Sequence, residues 1–210
     1  NQKYLMKLLS ETQENDEIRI ALSDLNQFND DTGRIIKSSL YARDIVKKLL
    51  IFSHQMPTKK KMVNPNVAIE DALFFLESRC AKQNIRIKKK FAYNLPEIYV
   101  DPSQINQVII NLVVNSIHAM PDGGEVIIST YVDKNKVTIE VKDNGTGMTE
   151  EIKKQIFLPF FTTKDIGEGT GLGLAVVHGI VKAHNAEIKV KSEPEKGTVF
   201  YVKFPFRISR

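Results

Sequence analysis

Between Asn1 and Met56 the chain has a single glycine, Gly33, and no proline, while the other ten of its eleven glycines and all eight prolines come later. So long a stretch without helix breakers, carrying apolar residues at helical spacing, favours helix over any other regular structure. "GRIIKSSLYARDIVKKLLIFSH" sets Ile35, Ala42, Val46 and Leu49 on one helical face, flanked by Ile36, Ile45 and Phe52. Upstream, Tyr4, Leu5, Leu8 and Leu9, then Ile18, Leu22 and Leu25, repeat the pattern, and a turn is expected within "SETQEND" or "NQFNDD". The expectation is therefore a helical hairpin. Two short antiparallel helices leave a broad apolar face uncovered, so a dimeric four-helix bundle is the economical arrangement. "MPTKKKMVNPN" then sets two prolines around a lysine run and marks a linker. The chain thus divides into a helical region, 1–57, a linker, 58–66, and a second domain, 67–210.

Beyond the linker the two periods alternate. A helix is expected from about Val67 to Gln83, then "IRIKKKF" and "IYVD" as strands and a helix from Pro102 to Met120. "PDGG" opens the strand pair "EVIISTYVD" and "KVTIEVKD", "TEEIKKQIF" and "GLAVVHGIVKAH" are helical, and "AEIKVKSE" with "TVFYVKFPF" closes the chain as a hairpin. Many neighbouring strands are hairpin-linked, so the fold class is α+β, one mixed sheet covered by helices.

No apolar run approaches the ~20 residues needed to cross a bilayer, and no signal-peptide pattern opens the chain. One cysteine, Cys80, excludes an internal disulfide, fits a reducing, cytoplasmic setting, and reads as a buried helix residue rather than a nucleophile. The net charge of +5 comes from scattered basic residues, including Lys59 to Lys61 and Lys88 to Lys90, which read as solvated rather than as a nucleic-acid surface. No Cys/His cluster has metal-ligand spacing.

Residues 143–174 hold six of the eleven glycines. "DNGTG" follows an alternating strand, and "GEGTGLGL" precedes a helix, where unpaired backbone N–H groups and the positive end of the helix dipole form an anion site. "NQVIINLVVNSIHAM" adds Asn111 and Asn115 at i and i+4 on one helix face, with His118 a turn beyond, opposite the apolar Ile110, Val113, Val114 and Ile117. Amides aligned on an otherwise buried helix require partners.

In their order, "QVIINLVVNSIHAM", "DNGTGM", "FLPFFTTK" and "GTGLGLAVVHGIV" resemble the N, G1, F and G2 boxes of sensor histidine kinases, whose catalytic domain has the GHKL (Bergerat) ATP-binding fold. The resemblance covers roughly Val67 to Arg210, and "DIVKKLLIFSH" is similar to the second helix of that family's dimerisation and phosphotransfer domain. It implies ATP and Mg²⁺ as cofactors, a homodimer through the N-terminal helices, and a response regulator receiver domain as partner. It further implies that Asp143 accepts from the adenine amine beside Gly145 and Gly147, and that Asn115 coordinates Mg²⁺. His118 would face the phosphates, in direct contact or as a partly buried neutral imidazole. Asn111 stands where related GHKL ATPases carry a water-activating glutamate, and its amide takes up no proton, which favours transfer over hydrolysis. "FFTTKDIGEG" would be the lid: Phe160 and Phe161 anchor it in the core, and Thr162, Thr163 and Lys164 reach the β- and γ-phosphates. Gly167, Gly169, Gly171 and Gly173 would let the lid fold over the nucleotide and bring the N–H groups of Gly171 and Leu172 to the phosphates, with Leu172 and Leu174 packing inward; the ATP-binding residues of this stretch would be Gly169, Thr170, Gly171, Leu172 and Gly173.

One element of the family pattern is missing. The expected acceptor, a histidine followed by an acidic residue on the first dimerisation helix, does not occur; His54 is followed by Gln55, and His178 and His184 read as structural. The preferred explanation is a chain that begins just after the acceptor. A GHKL ATPase or serine kinase, and a catalytically silent ATP-binding scaffold, are the other readings.

Overall fold

The computed structural model describes residues 2–52, 58–164 and 169–206. His54 and residues 165–168, including Gly167, lie outside them.

The N-terminal segment is one helix, α1 (Gln2–Phe52), rather than the expected hairpin. Neither candidate turn contains a glycine or proline, and Gly33 alone costs a helix only about 1 kcal/mol. The Thr32 hydroxyl donates back to the Phe28 carbonyl at 2.7 Å, which keeps a turn-forming side chain inside the helical pattern. Of its apolar side chains, Leu22, Leu25, Phe28, Ile35, Ile36 and Leu40 are exposed. Residues 1–46 form a compact unit of their own, distinct from 47–210.

In the second unit the elements run β1 (Lys61–Val63), α2 (Pro65–Lys82), β2 (Ile85–Phe91), β3 (Ile98–Val100), α3 (Pro102–His118), β4 (Gly124–Asp133), β5 (Lys136–Asp143), α4 (Glu150–Gln155), α5 (Gly173–Ala183), β6 (Glu187–Ser192) and β7 (Thr198–Pro205). Both long helices start alike. Asn64 caps α2 by accepting from the Asn66 N–H, Asp101 caps α3 by accepting from Ser103 N–H, and a proline follows each cap.

Five strands form a mixed sheet in the order β2-β4-β5-β7-β6, with β2 parallel to β4 and the remaining pairs antiparallel. The register aligns Ile128 with Val141 and Val141 with Phe200, and Ile139 with Val202, so these side chains share one face. That face packs with Ile105, Ile109 and Leu112 of α3 and Val176, Val177 and Ile180 of α5 in one core. Each such side chain contributes roughly 1.5–3 kcal/mol on burial, which makes this layer the main source of stability. At the sheet's margin β2 carries Lys88, Lys89 and Lys90, all exposed; Lys88 pairs with Glu125 at 2.5 Å and Lys89 with Glu77 at 3.0 Å.

The segment read as linker is partly structured. Within it β1 pairs antiparallel with β3, Met62 opposite Tyr99. The Lys59 N–H donates to Asp101 Oδ2 at 2.8 Å, and Lys60 Nζ donates to the Ala183 carbonyl at 2.6 Å. A three-residue strand with one buried side chain is too short for an alternation signal, which is why the prolines and lysines dominated the reading.

His184 closes α5 from inside the core. Its Nε2 accepts from the Asp101 N–H at 3.1 Å, so the proton sits on Nδ1, which donates to the Ile180 carbonyl at 2.8 Å. Asn185 follows at φ 51°, the left-handed turn its side chain tolerates. Burial lowers the His184 pKa from the ordinary imidazole value, so the unfolded chain binds more protons than the folded one once pH falls below that value. The stability this neutral imidazole supports is present above about pH 6.5 and lost as pH falls below it. Urea unfolding followed from pH 7.5 to 5.5 should show a falling midpoint, and His184→Gln should flatten that dependence; an equal slope in both proteins would refute the assignment.

Candidate functional site

Asp143 ends β5 and is buried, 4% exposed as a residue. Its Oδ1 accepts from the Gly145 N–H and the Thr198 N–H, each at 3.0 Å, and its Oδ2 accepts from the Ser116 hydroxyl at 2.9 Å. One carboxylate thereby joins α3, the loop after β5 and the start of β7. Burial pushes its pKa up from the usual Asp value, opposed by these three hydrogen bonds. A carboxylate has about four acceptor sites, so one remains for a further donor.

The glycines here let backbone approach backbone. Gly147 sits at φ 66°, and a Cβ on it would lie 2.0 Å from the Glu193 carbonyl oxygen; one on Gly145 would lie 2.6 Å from the Ala119 carbonyl oxygen. The loop is thus clamped between the end of α3 and the β6–β7 turn, a clamp completed by Thr146 N–H donating to Ala119 and Glu195 N–H donating to Thr146.

On α3, the Asn111 Nδ2 is buried without a hydrogen-bond partner. An orphaned buried amide donor costs about 1–3 kcal/mol, so the position is explained better by a partner brought from outside than by folding. Asn115 is half-buried, and its side chain makes no hydrogen bond among the described residues. His118 is exposed at the helix end, with its Nδ1 2.5 Å from Lys164 Nζ.

Described residues of the segment expected to form a lid lie beside the same helix. A Cβ on Gly173, at the start of α5, would stand 3.5 Å from Asn111 Oδ1, and one on Gly169 would meet Thr162 Oγ1 at 2.8 Å. Gly171, at φ 62°, lies on the backbone of Phe160, where a Cβ would approach within 2.3 Å; only glycine combines that angle with that contact. Leu172 is fully buried, Leu174 packs against the core, and the Leu172 N–H donates to Thr170 Oγ1 at 3.4 Å. Thr163 is exposed, with no hydrogen bond among the described residues. One anchor differs from expectation. Phe161 packs on the core, but Phe160 is 62% exposed at φ 66°, a left-handed backbone that turns its ring outward while Gly171 covers its main chain.

Two participants escaped the sequence reading. Ser116 follows Asn115 and offered no signal beyond a hydroxyl on an apolar helix, and Thr198 acts through its backbone, which no residue type reveals. His178 is structural, stacked on Phe157 with ring centres 5.4 Å apart. Among the described residues, no helix is long and apolar enough to cross a membrane.

Residues 100–208 match the family model of histidine kinase-, DNA gyrase B- and HSP90-like ATPases, which takes in α3, both glycine clusters and the closing hairpin. The chain belongs to this ATPase family. Sporulation kinase E of Bacillus subtilis (strain 168) is 36% identical over 164 residues, 78% of this chain but 22% of that protein. This ATPase chain therefore spans about a fifth of that curated relative. The solved catalytic domain of histidine kinase ThkA is 33% identical with a TM-score of 0.63, covering 70% of this chain and 96% of that one. A ThkA structure in complex with response regulator protein TrrA is 31% identical with a TM-score of 0.67, covering 81% of this chain and 49% of that one. The GHKL-type sandwich is thus the fold of the ATPase family's histidine kinase catalytic domains.

The Asp143 geometry separates two substitutions. Asp143→Ala leaves two backbone N–H groups and a hydroxyl without their acceptor and should lower unfolding free energy by about 3 kcal/mol or more. Asp143→Asn keeps an oxygen for the N–H pair, and Ser116 can rotate to accept, so its loss should be less than half as large. Urea denaturation without nucleotide measures both; equal losses would contradict the bonding scheme.

Proposed function

We propose that this chain is the cytoplasmic catalytic portion of a sensor histidine kinase, which binds Mg-ATP around Asp143 and transfers the γ-phosphoryl to a histidine. In that transfer the bond from the γ-phosphorus to its bridging oxygen breaks, a bond to an imidazole nitrogen forms, and ADP leaves. The observation that carries the reading is the buried Asp143 carboxylate, three acceptor sites filled and one left, bonded to the same helix that holds the orphaned Asn111 amide.

Each residue has a part that its surroundings support. Asp143 takes the adenine amine on its remaining acceptor site, beside Gly145 and Gly147. Asn115, with no internal partner, offers its amide oxygen to Mg²⁺, a cation that takes oxygen ligands and keeps most of its waters. Bound there, the metal neutralises phosphate charge. Asn111 donates from Nδ2 and, being an amide, takes no proton from water. His118, Thr162, Thr163 and Lys164 face the phosphates, while Gly169, Thr170, Gly171, Leu172 and Gly173 supply the turn and backbone donors at the start of α5. Positioning and charge neutralisation then account for the rate.

The helical region, 1–57, is assigned to homodimerisation, supported by the exposed apolar residues of α1. The ATP-binding domain is 67–210, with 58–66 as the joining segment, of which residues 59–63 are fastened to the domain. The phosphoryl group passes on to a response regulator receiver domain, a partner supported by the ThkA–TrrA complex.

Incubating the chain with labelled ATP and a separate acceptor-helix protein should place acid-labile label on the latter. Nucleotide binding without label would favour the silent scaffold. Asn115→Ala, which removes no internal hydrogen bond, should abolish Mg-ATP binding while leaving the unfolding midpoint unchanged; retained affinity would overturn the site.

A further inference from the structure

Basic residues that are scattered along the sequence are gathered by the sheet. Its register sets alternate residues of all five strands on the face turned away from α3 and α5. This outer face carries four carboxylates, and each has a partner there. Glu125 pairs with Lys88 at 2.5 Å, Asp133 with Lys203 at 2.6 Å and Glu187 with Lys136, while Glu140 accepts from the Tyr131 hydroxyl at 3.3 Å. Arg86, Lys90, Lys142, Lys189 and Lys191 remain, all exposed and, among the described residues, in no ion pair. Eight basic side chains against four acidic ones leave the face at +4, out of +5 for the whole chain. Solubility asks only for charges of both signs interspersed over the surface. Here the excess is collected on one side of one sheet.

The five cations reach from one margin of the sheet to the other, β2 to β6, four strand spacings or about 19 Å. A single phosphate or carboxylate cannot span that distance, so the complement is an extended anionic surface. Two aromatic side chains lie among the cations, as they do on sheets that stack nucleic-acid bases. Neither suits that task. Lys191 Nζ stands over the Tyr201 ring, 5.8 Å from its centre, and the Tyr131 hydroxyl is bonded to a carboxylate, which repels phosphates. A bilayer asks for neither free rings nor fixed spacing, because anionic headgroups move laterally to the cations that approach them.

We propose that the outer face of the sheet docks on anionic phospholipid headgroups, holding the domain against a membrane surface by charge. α3, α5 and the site around Asp143 then lie on the opposite side of the sheet, clear of the lipid. The inference does not depend on nucleotide binding.

The test sediments the whole chain with vesicles of equal parts phosphatidylglycerol and phosphatidylcholine, and with vesicles of phosphatidylcholine alone. The chain should bind the first and not the second, and about 1 M salt, where the screening length is about 3 Å, should release it. One variant carries Lys90→Gln, Lys142→Gln and Lys189→Gln. At about fivefold for each charge near an anionic surface, its partition should fall about a hundredfold. A charge-matched variant with Lys82→Gln, Lys154→Gln and Lys182→Gln, all exposed positions off this face, should lose far less. Arginine at positions 90, 142 and 189 should bind like the unaltered chain. Retained binding in the first variant, equal losses in the two glutamine variants, or loss in the arginine variant each overturns the proposal. So does an unaltered chain that ignores anionic vesicles, and one that does so while binding single-stranded RNA assigns the face to a polyanion instead.

Discussion

The carboxylate of Asp143 is the point at which three elements of the domain meet. A helix supplies it a hydroxyl, a glycine loop and a strand each supply a backbone N–H, and all three donors are internal. Desolvating a carboxylate is costly, and only donors already in place offset it. The loop and the β6–β7 turn must therefore adopt their positions together, or the charge is buried alone. This explains why the loop is so tightly bound from both sides, by Ala119 on one and by Glu193 and Gly197 on the other. Recognition of a base by the last acceptor site would follow from a structure that the fold already requires.

The glycine clusters divide into two kinds of work. Gly147 and Gly171 are demanded by protein backbone lying where a side chain would go, whereas Gly173 faces Asn111 across ordinary contact distance. A glycine-rich stretch read from sequence suggests space left for a ligand. Here part of that space is filled by the chain itself, which gives the site fixed walls instead of a slack loop. The outward ring of Phe160 has the same origin, since Gly171 has taken the place beneath it.

Most of the domain was legible because its elements obey a single period. α3 shows clean helical spacing with Asn111 and Asn115 offset from the apolar face, and β4, β5 and β7 alternate in register with the core they cover. What was not legible lacked a periodic signature. β1 is three residues long, the continuity of α1 depends on the absence of a breaker rather than the presence of a signal, and Thr198 contributes a main-chain N–H common to almost every residue. Ser116 carries a suitable side chain, but its importance comes from a neighbour distant in sequence, Asp143, 27 residues away.

The lysines of β2 bear on how the protein behaves in a crowded solution. A strand at a sheet's margin offers its free backbone groups to any extended peptide that drifts alongside, and this is how cross-β fibrils begin. Lys88, Lys89 and Lys90 fill the middle of that margin with consecutive ammonium groups, two of them partly offset by Glu125 and Glu77. A second β2 brought alongside would set six such groups together. The sheet thus stops at five strands, and concentrated preparations should remain clear where an uncharged margin would seed aggregation.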